Sequence, residues 1–126
     1  MPLLSTARGF IDSSQLGVTL MHEHIFIIDA DVWLNYPGEW ESEEKQISNA
    51  VARLNDLKSR GVDSIVDLTV VGLGRFIPRI ARVAQRTQPN IIIATGIYTY
   101  RVRALFLSFA RAVIRNGGYH DGDVCR

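Results

Sequence analysis

Apolar residues along the chain gather in short runs, and the stretches between them have helical periodicity. Val18 to Ile28 predicts a buried strand that carries two histidines. Residues 29–41 contain Trp33, Tyr36-Pro37-Gly38 and Trp40 and predict a long loop. Ser42 can then cap a helix whose first turn holds Glu43 and Glu44, the charge a helix N-terminus favours. Ile47, Val51, Leu54 and Leu57 follow at helical spacing, and Gly61 is a natural stop. Val62 to Val70 predicts a second strand, and a Gly72-Leu73-Gly74 turn follows it. Pro78 opens another helix with Ile77, Ile80, Ala81 and Ala84 on one face. Ile91 to Ala94 predicts a third strand, ending in Thr95-Gly96-Ile97-Tyr98.

Strands that are apolar through most of their length and alternate with helices predict a parallel sheet with its faces covered, hence an α/β fold. Doubly wound sheets and (β/α)₈ barrels both begin this way. The pattern does not choose between them.

Composition narrows function mainly by exclusion. The chain has 126 residues, 47% of them hydrophobic and 21% charged, with a formal net charge of +1. That balance suits a globular domain and gives no electrostatic pointer to nucleic acid or an anionic membrane. Cys125 is the single cysteine, which excludes a disulfide framework within the chain. No run approaches the roughly 20 apolar residues of a membrane span, and the N-terminus lacks a signal-peptide pattern. The expected location is cytoplasmic.

The candidate chemistry lies in Met21-His22-Glu23-His24. Residues two apart on a strand project together, so Val18, Leu20, His22 and His24 are expected to share a face while Glu23 points away. Two imidazoles so placed can reach one cation, and imidazole is a common zinc ligand. Two partly buried, hydrogen-bonded histidines would give the same pattern. The pair also falls at the end of its apolar run, and active sites lie at the carboxyl ends of strands in parallel barrels.

These residues have a counterpart in a known family. Gly17-Val18-Thr19-Leu20-Met21-His22-Glu23-His24 resembles the opening strand of the phosphotriesterase family of the amidohydrolase superfamily. Val66-Asp67-Leu68-Thr69-Val70-Val71-Gly72-Leu73-Gly74-Arg75 is similar to its second strand and turn, and Thr95-Gly96-Ile97-Tyr98-Thr99-Tyr100 resembles the third strand end of its lactonase-like branch. Order and spacing agree, and the resemblance covers residues 1–100.

The resemblance implies a (β/α)₈ TIM barrel holding two divalent metals that share a bridging hydroxide. It implies that His22 and His24 bind the more buried metal and that Tyr98 reaches the hydroxide and the substrate. The implied reaction is hydrolysis of a lactone or an organophosphate ester, with zinc the expected metal and cobalt, iron or manganese as alternatives. A small-molecule substrate and a full-length homodimer follow from the same likeness, with no nucleic-acid or membrane partner.

Other residues invite plainer readings. Glu23 is expected to make a structural hydrogen bond, and Asp67, a mid-strand acid, to be paired structurally. Gly72-x-Gly74 fits a tight barrel turn better than a phosphate loop, since it lacks the third glycine of a dinucleotide fingerprint. Trp33, Tyr36 and Trp40 fit packing or dimer contacts as well as substrate contacts. Lys45 and Lys58 lie on the first helix, away from the place of the family's bridging lysine.

A barrel of this kind takes roughly 250 residues. The chain is therefore expected to carry about three βα units, the N-terminal part of the barrel, and to be inactive alone. Residues 101–126 hold five arginines and no lysine and depart from the family pattern. Read one base forward, the codons permitted for Tyr119 to Cys125 allow Ile-Met-Thr-Glu-Met-Phe-Val, and those for Arg103 to Leu107 allow Val-Pro-Phe-Phe-Phe. Both are similar to the family's continuation. The tail thus reads as out-of-frame residues, with His120 and Cys125 not ligands; a gene in which no downstream frame encodes the remaining ligands would contradict this. A metal-dependent hydrolase is the leading expectation, and a non-catalytic fragment or weak binding module is the alternative. A basic membrane- or nucleic-acid-binding protein rests only on the arginine-rich tail.

Overall fold

The structure, a computed structural model, describes residues 2–97. An antiparallel hairpin, β1 (Leu3–Thr6) and β2 (Gly9–Asp12), comes first. It leads through a 3-10 turn at Ser13–Gln15 into β3 (Thr19–Glu23). Then follow α1 (Ala30–Asn35), a 3-10 turn at Pro37–Glu39, α2 (Glu43–Ser59), β4 (Ser64–Asp67), α3 (Ile77–Arg86) and β5 (Asn90–Ile93). Strands β3, β4 and β5 form a parallel sheet in that order.

The helices form where the pattern places them. Ser42 caps α2 through its side chain, which accepts from the Lys45 amide, and Glu43 and Glu44 occupy the first turn. Pro78 sits in the first turn of α3, where its missing N–H costs nothing. Ile47, Ala50 and Leu54 of α2 meet Ile80, Val83 and Ala84 of α3 over Ile65 of β4 and Ile91 of β5. Val51 and Leu57 are only partly buried at the edge of this core. On the outer side Arg82 reaches Glu43 and Glu44, and Arg86 reaches Glu44. These pairs are exposed and each contributes at most about 1 kcal/mol.

Four expectations need correction. The first strand ends at Glu23 rather than Ile28, because its partner β4 ends at Asp67 and offers no further ladder. Residues 29–41 are not one loop: Asp29 accepts from the amides of Asp31 and Val32 and so caps α1. The core face of α3 includes Arg79 and Val83, whereas Ile77 is 39% exposed. The β1–β2 hairpin has no forecast in the hydrophobic pattern, since Leu3 and Phe10 face solvent. It is held by Ala7, whose amide donates to the Ile91 carbonyl, and by Arg8, which donates to the carbonyls of Thr87, Gln88 and Pro89.

Asp63 ties the amino-terminal ends of β3 and β4 together. Its carboxylate accepts from Lys58 Nζ at 2.6 Å and from the Val18 amide at 2.9 Å. The Lys58 bond first, then the Val18 amide, hold its pKa below the ordinary 3.8. A depressed folded value means stabilisation that is fully present above the unfolded value and is lost as the pH falls through the folded one. Asp63→Asn is therefore expected to destabilise the chain at neutral pH and to flatten acid unfolding below about pH 4. Urea midpoints across that window check it, and equal losses at all pH values would contradict it.

Candidate metal centre

The carboxyl ends of the three parallel strands lie side by side, with Glu23 opposite Asp67 and Asp67 opposite Ile93. His24 follows β3 directly, and an isolated parallel bridge between Val71 and Ile97 carries the alignment past the strand ends. Barrel active sites occupy this end.

Strict alternation along β3 fails between Leu20 and Glu23. Leu20 pairs with Ile65 and Glu23 with Asp67, so three steps on β3 match two on β4. Such a bulge re-aims side chains and is common beside active sites. Val18, Leu20, His22 and His24 do not form one uniform face: Val18, just before the strand, is 60% exposed, Leu20 packs on the core, His22 is exposed and His24 is half-buried. Glu23 uses its backbone carbonyl to accept from the Leu68 amide at 2.8 Å. Its side chain makes no hydrogen bond among the described residues.

The bulge nevertheless brings the two imidazoles together. Their ring centres are 5.3 Å apart and their planes lie 73° apart. A zinc ion about 2.0–2.1 Å from one nitrogen of each ring, at a tetrahedral angle, puts the ring centres roughly 5 Å apart. Spacing and donor chemistry thus fit one divalent cation shared by His22 and His24. Among the described residues no group of three or more His, Cys, Asp or Glu is placed to hold a metal. The pair alone falls short of such a group.

Behind His24 lies a buried polar chain. His24 Nδ1 is 3.1 Å from Thr69 Oγ1, and Thr69 Oγ1 donates to Asp67 Oδ1 at 2.6 Å. The Thr69 amide donates to the same carboxylate oxygen at 3.0 Å. Asp67 and Thr69 are 2% and 5% exposed. Asp67 is paired within the fold as expected. Thr69 was not singled out by sequence reasoning, although the two-residue spacing of Asp67-x-Thr69 was a usable signal.

Other sequence-singled residues fall elsewhere. Trp33 and Tyr36 are 50% and 62% exposed, and Trp40 Nε1 is buried without a partner among the described residues. Gly72 and Gly74 form the tight turn expected of them, with φ of 99° and 88°. Arg79 is buried with its guanidinium 4.4 Å from the centre of the Phe26 ring. Burial holds its pKa below the usual arginine range, against an opposing pull from Glu43. A cavity of about 10 Å³ beside Arg79, Asp67 and Thr69 has room for about one water. Tyr98 lies outside the described residues, as does the segment 101–126.

Sequential parallel strands with a histidine pair at their carboxyl ends are an arrangement that the opening of a parallel barrel would have. Comparison with known proteins agrees. The profile of the phosphotriesterase family matches residues 2–114. A phosphotriesterase homology protein of Mycobacterium tuberculosis is 63% identical over 100 residues, covering 79% of this chain and 31% of that protein. An aryldialkylphosphatase of Saccharolobus solfataricus is 38% identical over 93 residues, covering 74% of this chain and 29% of its own length. The solved structure of the phosphotriesterase from Mycobacterium tuberculosis superposes with a TM-score of 0.76 at 63% identity, covering 79% of this chain and 31% of that one. The chain belongs to the phosphotriesterase family. It spans about a third of the length of these relatives, and three of a barrel's eight parallel strands lie among its described residues.

Proposed function

We propose that this chain provides part of the active site of a metal-dependent hydrolase acting on lactone or organophosphate ester bonds. The observation that carries the reading is the His22–His24 ring spacing of 5.3 Å at the carboxyl ends of parallel strands. Membership of the phosphotriesterase family supports hydrolysis, and the relative named aryldialkylphosphatase supports an ester substrate. The lactone preference rests on the resemblance at Thr95–Tyr100.

His22 and His24 would hold a divalent cation, zinc first, with cobalt, iron or manganese compatible with imidazole ligands. Such a cation, when bound, polarises the carbonyl or phosphoryl oxygen and lowers the pKa of water. His24 is held from behind by Thr69, which leaves its far nitrogen for the cation. His22 is exposed. Tyr98, which directly follows the bridged Ile97, is proposed to contact the substrate. The proposal includes further ligands from outside the described residues, a cytoplasmic location and a homodimeric full-length protein. No helix among the described residues is long and apolar enough to cross a membrane.

A second reading, a metal-binding module without turnover, is favoured by the two imidazoles found together among the described residues, against the three protein ligands usual for catalytic zinc. Chelation tests the metal dependence that both readings share. The 126-residue chain, stripped with chelator and reloaded with zinc or cobalt, is assayed on an aryl dialkyl phosphate and an aliphatic lactone. Metal uptake without turnover is the result expected of a partial site. Turnover that disappears with chelator and returns with metal would exclude the binding module and contradict inactivity of the chain alone, and turnover indifferent to chelator contradicts both readings.

A further inference from the structure

We infer that Thr69 and Asp67 are positioning residues for His24: they hold a proton on its Nδ1 and so fix Nε2 as the atom that meets the cation. The inference rests on the ligand role proposed for His24 and follows from counting hydrogens. A threonine hydroxyl has one proton. The 2.6 Å contact between Thr69 Oγ1 and Asp67 Oδ1 has the length of a hydroxyl donating to a carboxylate. The Thr69 hydroxyl proton is thereby committed to Asp67 Oδ1, which also accepts from the Thr69 amide. The 3.1 Å contact between His24 Nδ1 and Thr69 Oγ1 then needs its proton from the imidazole. The neutral ring must be the Nδ1–H tautomer, with its lone pair on Nε2.

The fold makes this chain hard to rearrange. Asp67 is the last residue of β4 and Thr69 lies two beyond it, so the strand end sets both, and both are buried. His22 has no counterpart among the described residues: it is exposed and its ring contacts that of His24 edge-on. The two histidines therefore differ, one pre-oriented and one adaptable. Partners that orient a ligating histidine in this way are typically worth about 10–100-fold in metal affinity.

The test uses the ¹⁵N-labelled 126-residue chain, metal-free, at about pH 8, above the ordinary imidazole value. Long-range proton–nitrogen correlation distinguishes Nδ1–H from Nε2–H in each histidine. Wild type is expected to show Nδ1–H at His24. Thr69→Val, which removes the hydroxyl at nearly constant volume, is expected to lose that preference and to bind cobalt about 10–100-fold more weakly in competition with a chromophoric chelator. Thr69→Ser is expected to restore both, which a packing role for the methyl group would not predict. An Nε2–H pattern in wild type overturns the inference without any variant, which covers the case in which Thr69→Val fails to fold. A folded Thr69→Val chain with unchanged tautomer and affinity overturns it too. Nδ1–H in a wild type that takes up no cobalt overturns the ligand role of His24, and the positioning role with it, so the two failures remain distinguishable.

Discussion

Alanine at His24 is expected to weaken divalent-metal binding by more than about 100-fold, since even partners one step removed from a ligand are worth about 10–100-fold. The change removes a nitrogen from a pair whose ring spacing of 5.3 Å suits one cation. It also leaves Thr69 Oγ1 without its Nδ1 partner. Any metal-dependent hydrolysis should fall with the affinity. Folding should change little, because His24 is half-buried beyond the end of β3 and outside the cluster built on Ile47, Ile65, Val83 and Ile91. Cobalt titration beside circular dichroism separates the two effects. An unchanged dissociation constant in a folded His24→Ala chain would remove His24 from the site. Loss of fold would mean that the histidine belongs to the core.

The second large effect is on stability. Gly74 adopts φ of +88°, and a Cβ built there would stand 2.7 Å from the Ile28 carbonyl oxygen and 2.8 Å from the Ile28 amide nitrogen. Both are backbone atoms, so no rotamer change relieves the overlap. The Ile28 amide also donates to the Leu73 carbonyl at 3.2 Å, which pins the two segments together. Gly74→Ala therefore adds left-handed strain, about 1–3 kcal/mol, to a steric overlap, and a total of roughly 3–5 kcal/mol is expected. Gly61 supplies the control: its φ is +95° but nothing lies within 4 Å of a built Cβ. Gly61→Ala should lose only the strain. Urea midpoints of the two variants check the difference, and equal losses would show that the close approach to Ile28 is not what demands glycine at 74. Because the segment from His24 to Ile28 is held by this contact, Gly74→Ala should also loosen the metal site.

Much of the scaffold was legible in the sequence because local signals and burial agree there. Ser42, Glu43 and Glu44 start α2, and Pro78 starts α3, by capping and dipole rules that need no tertiary context. The apolar run around Ile65 marks a strand buried on both faces, and the run around Ile91 a strand buried at Ile91 and half-buried beside it. Legibility failed where long-range contacts decide. The β1–β2 hairpin is exposed, and it is held by backbone contacts from Ala7 and side-chain contacts from Arg8 to residues about 80 positions away. Arg79 is buried because Phe26 and Phe76 provide aromatic faces for it, which no helical periodicity encodes. Within the site, the spacing of His22 and His24 was enough to propose the pair. The path to it was different, since alternation breaks at the bulge between Leu20 and Glu23. Thr69 was hidden because a threonine in an apolar run ordinarily reports β propensity. Only its contact with His24 gives it another role.

The central claim is that His22 and His24 bind one cation together. Titrating the ¹⁵N-labelled chain with zinc while observing both imidazoles tests it most directly. The account predicts that the Nε2 resonance of His24 and a ring nitrogen of His22 shift together and saturate at the same zinc concentration, while the Nδ1–H signal of His24 persists. Zinc that binds without moving either ring, or that moves only one of them, would contradict it.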